Sequence, residues 1–185
     1  MPVRQLNITT VVIALIISLG LMLGGQYLYE KYYVKESVKE KIASVVKVDE
    51  VRIAKQEQPP TVYIRTSQID DLQTVYQKVE KIVRQELGTD YQVVFLDRRT
   101  PKLTEIYENS QFAIQEAIAT GSFQKMHRSV QNLAEANHVD YRVTVDSFNI
   151  YLQLRDGQGY LYEVIQRSPQ LADNEKNYGQ GGGGI

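Results

Sequence analysis

The sequence predicts an α+β protein: an N-terminal single transmembrane helix and a helical stalk, followed by a two-layer α/β sandwich in the order ββ-α-β-α(α)-βββ. Three observations lead to this reading. No charged residue occurs between positions 5 and 29, and the apolar core of that stretch, 8–23, shows no polar face. Further on, segments with apolar residues at helical spacing are interspersed with segments that alternate apolar and polar residues, the marks of helix and strand. These segments neither alternate regularly, as parallel-sheet proteins require, nor segregate into separate blocks, which leaves the α+β class. With 185 residues the chain holds one domain and some spare length.

Composition excludes more than it asserts. Charged residues make up 23% and hydrophobic residues 43%, as in ordinary folded proteins. A net charge of −1 argues against a broadly basic nucleic-acid binder, so no nucleic-acid partner is expected. The absence of Cys removes disulfides, thiolate metal sites and cysteine nucleophiles, and two His leave no multi-histidine metal centre. No metal and no cofactor is therefore expected.

The predicted organisation is an anchor over 1–29, a juxtamembrane helical stalk over 30–46, a soluble α+β domain over 47–169 and a disordered Gly-rich tail over 170–185. A helix needs roughly 20 apolar residues to cross a ~30 Å hydrocarbon layer, and 8–29 is long enough to meet the lipid bilayer along its length. Tyr27, Tyr29, Tyr32 and Tyr33 follow in the manner of an interfacial aromatic belt. The apolar run exceeds the h-region of a cleaved signal peptide, so the anchor is read as uncleaved. Counting Lys31, Lys35, Lys39, Lys41 and Lys47 against Arg4 favours a cytoplasmic domain. The short leading tail, the interleaved Glu30, Glu36 and Glu40 and the lack of Cys favour an extracytoplasmic one, which is the expectation adopted.

In the stalk, Val34, Val38, Ile42 and Val45 form one apolar stripe. It either packs on its own domain or pairs two copies as a short coiled-coil homodimer. Val46, Val48, Val51 and Ile53 alternate with polar residues, but their parity changes across Asp49 and Glu50, so a bulge or break is expected there. Pro59 and Pro60 make a turn before the strand 61–65. Ser67 is expected to cap a helix whose buried face runs from Ile69 to Leu87, ended by Gly88. The apolar run in 91–96 suggests a strand covered on both faces. Thr100 and Pro101 open the next helix, which is interrupted at Gly121 and Ser122 and resumes to Asn137, as one kinked helix or two. Alternation at 141–145, 150–155 and 160–165, with a hairpin signal at 156–159, predicts an antiparallel meander.

No phosphate-binding glycine loop, nucleophile elbow or zinc-protease motif occurs, and no catalytic constellation is assigned. Asp97, Arg98 and Arg99 are the most suggestive polar cluster, since two guanidinium groups beside a helix N-terminus suit a carboxylate or phosphate. The plainer reading is a solvated charge pair. Tyr141, Tyr151, Tyr160 and Tyr162 suit an aromatic binding face on the meander, or simply cross-strand packing. His127 is expected to be structural, and His138 to sit at a helix end. Asp146 is expected to serve the turn before Ser147.

The expectation is therefore a non-enzymatic binding or assembly role at the cell envelope, with a protein partner or envelope ligand. The ligand-binding candidates are Asp97, Arg98, Arg99, Tyr151, Tyr160 and Tyr162. The alternatives are a membrane-associated hydrolase or transferase using Asp97, Glu116 and Asp146, and a sensory ligand-binding domain.

Overall fold

The computed structural model describes residues 8–28 and 35–167, with side chains described over 11–25 and from 36 onward. The predicted tail over 170–185, Lys31 and the tyrosines at 29, 32 and 33 lie outside the described residues. The chain is an α+β protein with two three-stranded sheets.

The first helix, α1 (Ile8–Leu28), carries no charge, and its large apolar side chains from Val11 to Leu23 are all exposed. Among the described residues, no helix is long and apolar enough to cross a membrane. The part of α1 with described side chains, 11–25, rises only about 22 Å, against a hydrocarbon layer of ~30 Å.

The second helix, α2 (Lys35–Ala43), lies in the stretch read as a stalk, yet it contributes to the core. Val38 and Ile42 are fully buried against α3 (Leu72–Leu87) and β1 (Val48–Ala54), and Lys41 pairs with Glu86 of α3 at 2.5 Å. Val38 and Ile42 of the apolar stripe are thus covered by the chain itself, while Val34 lies outside the described residues. β1 runs antiparallel to β2 (Thr61–Thr66), and the expected irregularity falls between Val48 and Glu50. β2 in turn pairs in parallel with β3 (Gln92–Leu96), with α3 as the crossover.

Two expectations fail in this half. Ser67 does not cap α3; the cap is Asp71, whose carboxylate accepts from Thr74 N–H at 3.0 Å. The turn that Ser67 was to begin is drawn off by tertiary bonds. Ile69 N–H donates to Tyr162 Oη at 2.6 Å, while Gln153 donates Nε2 to the Ile69 carbonyl at 2.8 Å and accepts from Leu72 N–H at 2.9 Å. β3 is covered on one face only: Val93 and Phe95 are buried, whereas Val94, on the opposite face, is exposed.

The other half opens with α4 (Pro101–Thr120), capped by Thr100 with Pro101 in the first turn, as expected. Gly121 ends it in a left-handed conformation (φ +75°), so a second helix follows, α5 (Phe123–Ala136), and the interruption separates two helices. The meander comprises β4 (Asp140–Val145), β5 (Asn149–Asp156) and β6 (Gly159–Gln166). Along β5 the side chains alternate between two cores. Ile150, Leu152 and Leu154 pack with α4 and α5, whereas Tyr151 joins the core of α2, α3 and the first sheet. The meander is therefore a shared wall, and the two sheets meet where Arg98 and Tyr160 form an isolated antiparallel bridge.

Replacing Gln153 with Leu leaves the Leu72 N–H without its partner, at about 1–3 kcal/mol, while Arg155 still donates to the Ile69 carbonyl. Urea unfolding of the full chain in detergent should show a loss of roughly 1–3 kcal/mol for Gln153→Leu. The exposed Gln85→Leu should change stability by less than about 0.5 kcal/mol. Equal midpoints for the two variants would show that the Gln153 bonds contribute nothing.

Candidate functional site

Asp97, Arg98 and Arg99 continue from the end of β3 and form the joint between the sheets. Arg98 exchanges both backbone hydrogen bonds with Tyr160, at 3.0 Å each. Asp97 accepts the Tyr162 N–H through Oδ2 at 3.1 Å. Arg99 engages the same carboxylate twice, Nε to Oδ1 at 3.0 Å and Nη2 to Oδ2 at 2.6 Å, and reaches Glu163 at 2.9 Å. Asp97, only 8% exposed in its side chain, is thus a structural anchor and no solvated partner. The Asp97 carboxylate, with help from Glu163, raises the Arg99 pKa against the effect of burial, so its guanidinium is already committed. The α4 N-terminus is also occupied, with Leu103 N–H bonded to Thr100 Oγ1 at 3.3 Å. Gly159 is needed here because a Cβ would stand 2.7 Å from Thr100 Cγ2. Arg98 keeps an exposed side chain.

The tyrosines separate. Tyr162 is 4% exposed and Tyr151 is 1% exposed, so neither presents an open ring. Tyr160 stacks at a tilt on Tyr162, with centroids 5.2 Å apart, and donates its hydroxyl to the Thr66 carbonyl at 3.2 Å. The packing reading of these residues describes their surroundings. Tyr141 lies edge-on to His127 at 5.9 Å, between β4 and α5.

Of the predicted candidates, Tyr151 alone lines the main cavity, which holds about 480 Å³ between α3, the start of β3 and the β4–β5 turn. Tyr76, Gln77, Glu80, Lys81 and Arg84 of α3 form one wall, Tyr91 and Gln92 another, and Asp146, Phe148 and Asn149 a third. On that third wall, Asp146 Oδ1 accepts N–H bonds from Phe148 and Asn149, both at 2.8 Å, making the turn expected of it. Its Oδ2 accepts from Tyr151 Oη at 2.7 Å and Gln77 Nε2 at 2.9 Å. Burial pushes this carboxyl up, but the Tyr151 hydroxyl, the two backbone N–H groups and Gln77 outweigh it and hold it below its usual range. Burial first, and the Asp146 carboxylate second, push the Tyr151 phenol well above its ordinary value; burial does the same for Tyr76.

The carboxylates considered for catalysis have separate partners. Asp97 binds Arg99 and Tyr162, Glu116 binds Lys125 at 2.7 Å, and Asp146 binds Tyr151 and Gln77. Among the described residues, no group of three or more His, Cys, Asp or Glu is placed to hold a metal. The cavity itself was not readable from local motifs, because its walls come from positions near 59, 76–92, 146–151 and 166. Asp146 was the available signal, read as a turn residue and as one of the alternative catalytic carboxylates. The chain matches no described protein family, and searches of curated proteins and of solved structures return no significant match.

Two measurements test this geometry. Because the Asp146 pKa is lowered on folding, its stabilisation is present above the unfolded value and is lost as pH falls through the folded one, from about pH 4 downward. Asp146→Asn should therefore be less stable than the parent by about 1 kcal/mol at pH 7, after allowing for solvent screening, with the gap narrowing by pH 3. A gap of equal size at both pH values in urea titrations would mean that the charge plays no part. Asp97→Ala should cost about 2 kcal/mol, from the orphaned Tyr162 N–H and the loss of both Arg99 bonds to Asp97, with Glu163 still paired to Arg99; an unchanged thermal midpoint would remove Asp97 from the joint.

Proposed function

We propose that this chain is a single-pass, membrane-anchored α+β module whose work is binding or assembly at the cell envelope, without catalysis. The groove between α3 and the β4–β5 turn is its binding face. One observation supports the non-catalytic reading: of the carboxylates lining the groove, Asp146 already accepts four hydrogen bonds and is held ionised, and Glu80 pairs with Arg84. A general acid needs a proton to give at working pH, and a general base needs a pKa near neutrality and a free lone pair. Asp146 has neither, which favours a groove that holds a partner.

The anchor reading rests on the whole of α1. Its 21 backbone residues give about 32 Å of helix, and the sequence stays uncharged from 5 to 29. Apolar side chains exposed on every side suit lipid and would be a liability in water. The domain is proposed to lie outside the cytoplasm, on the short leading tail, the acidic residues among the stalk lysines and the lack of Cys.

The wild-type chain should stay with membranes through alkaline carbonate extraction. The double variant Ile16→Arg and Leu19→Arg, each change costing about 2.5–3.5 kcal/mol at a helix centre, should be released. Release of the wild type would end the anchor reading. Since the chain has no Cys, Asn109→Cys, exposed on α4, offers one thiol for orientation. Labelling in intact cells by a membrane-impermeant reagent is the expected result, and labelling only after lysis would place the domain in the cytoplasm.

A further inference from the structure

Among the large apolar side chains exposed outside α1, Phe112 stands apart at 88%, against 38% for Phe148 and 37% for Val94. It projects from the outer face of α4, with Glu108 one turn before it and Glu116 one turn after, and Glu105 further along the same side. Glu105 and Glu108 form no ion pair among the described residues, and the only α4 lysine, Lys102, pairs with Asp156 at 3.2 Å. The outer face of α4 is thus an acidic strip centred on one bare aromatic ring.

The outer face of α3 has the opposite character. Its exposed charged residues are Lys78, Lys81 and Arg84, while Glu80 is drawn to Arg84 at 3.3 Å. Lys81 and Arg84 stand over the 480 Å³ groove, whose aromatic walls are Tyr76, Tyr91 and Phe148. The carboxylate below them, Asp146, is spent on internal bonds. A groove of this size admits a phenyl ring; its rim is mixed, with Glu80 holding Arg84 and Asp90 also present. The positive charge that the α3 face offers is therefore that of Lys78 and Lys81, and it meets Glu105 and Glu108, since Glu116 is held by Lys125 at 2.7 Å.

We propose that the groove receives Phe112 of a second copy of this chain, with the acidic face of that copy's α4 laid against the basic face of α3. This rests on the reading of the groove as a binding face and names its occupant. The two surfaces lie on different parts of the molecule, since α4 belongs to the core on one side of the meander and α3 to the core on the other. The contact is therefore heterologous: each copy both gives and receives, and the assembly grows head to tail instead of closing as a symmetric pair. Charge sets the pairing and its salt dependence, and the aromatic anchor supplies most of the affinity.

The test places the photoreactive amino acid p-benzoylphenylalanine at position 148 of the full-length chain in cells. The expected product is an adduct of two copies, with the cross-link mapped to the peptide bearing Phe112. Phe112→Ala should reduce that adduct roughly tenfold or more. Lys78→Glu with Lys81→Glu in one chain should abolish it, as should Glu105→Lys with Glu108→Lys, and co-expression of the two double variants should restore it. All the substituted side chains are exposed, so unfolding midpoints should hold. An adduct only with other proteins would overturn self-docking while leaving the groove as a binding face. No adduct of any kind would overturn both. A two-copy adduct that is indifferent to Phe112→Ala and to the charge reversals would overturn the proposed contact.

Discussion

The fold depends on a clamp that crosses more than eighty positions of sequence. Between β2 and α3 the chain must turn while buried, and a buried backbone N–H or carbonyl without a partner is costly. The meander supplies the partners: Gln153 serves the Ile69 carbonyl and the Leu72 N–H, and Tyr162 serves the Ile69 N–H. Arg155 adds a bond to the Ile69 carbonyl and an ion pair to Asp70, and Arg142 reaches Asp71 at 3.0 Å. Because Gln153 and Tyr162 present both the amide and the hydroxyl inside a core, the two halves have to assemble against each other for either to be satisfied.

That clamp decides where α3 begins, and the start of α3 decides where its outer face and the groove lie. The second joint uses the same strand. β6 gives Tyr162 N–H to Asp97 and bridges Arg98 through Tyr160, so one strand ties both the entry to α3 and the exit from β3. The position of the groove follows, since its walls come from the elements these two joints bring together. The residues that looked most available for binding are thus largely consumed in building the place where binding is proposed.

Local chemistry was legible in the sequence wherever a few neighbouring residues settle the conformation. The Thr100–Pro101 start, the left-handed Gly121, the hairpin at 156–159, the parity break near Asp49 and the Asp146 turn all depend on contacts within a few positions. Ser67 failed as a cap because its competitors, Gln153 and Tyr162, are distant in sequence and carry no local mark of their role. β3 looked doubly covered because Val93, Val94 and Phe95 are apolar in a row, yet coverage depends on what lies over each face. Asp97 was read as a surface charge for the same reason. Its carboxylate is explained by the Tyr162 N–H, which no spacing rule connects to it.

The burial of α2 bears on how the parts act together. With Val38 and Ile42 already in the core, α2 belongs to the folded domain and does not stand apart from it as a separate stalk. If α1 lies in a bilayer, as proposed, the domain it carries is held close to the membrane surface. Copies so confined meet at an effective concentration far above that of the same chain free in solution, and with fewer orientations to search. A single aromatic anchor framed by charge is a modest contact for a freely diffusing protein. In a surface layer the same contact is repeated from copy to copy, because the giving and receiving faces differ, and its strength grows with density in the plane. The proposed interface, weak, salt-sensitive and directional, would then suit a membrane-held module: strong enough to form an array where copies accumulate, and weak enough to leave them separate where they do not.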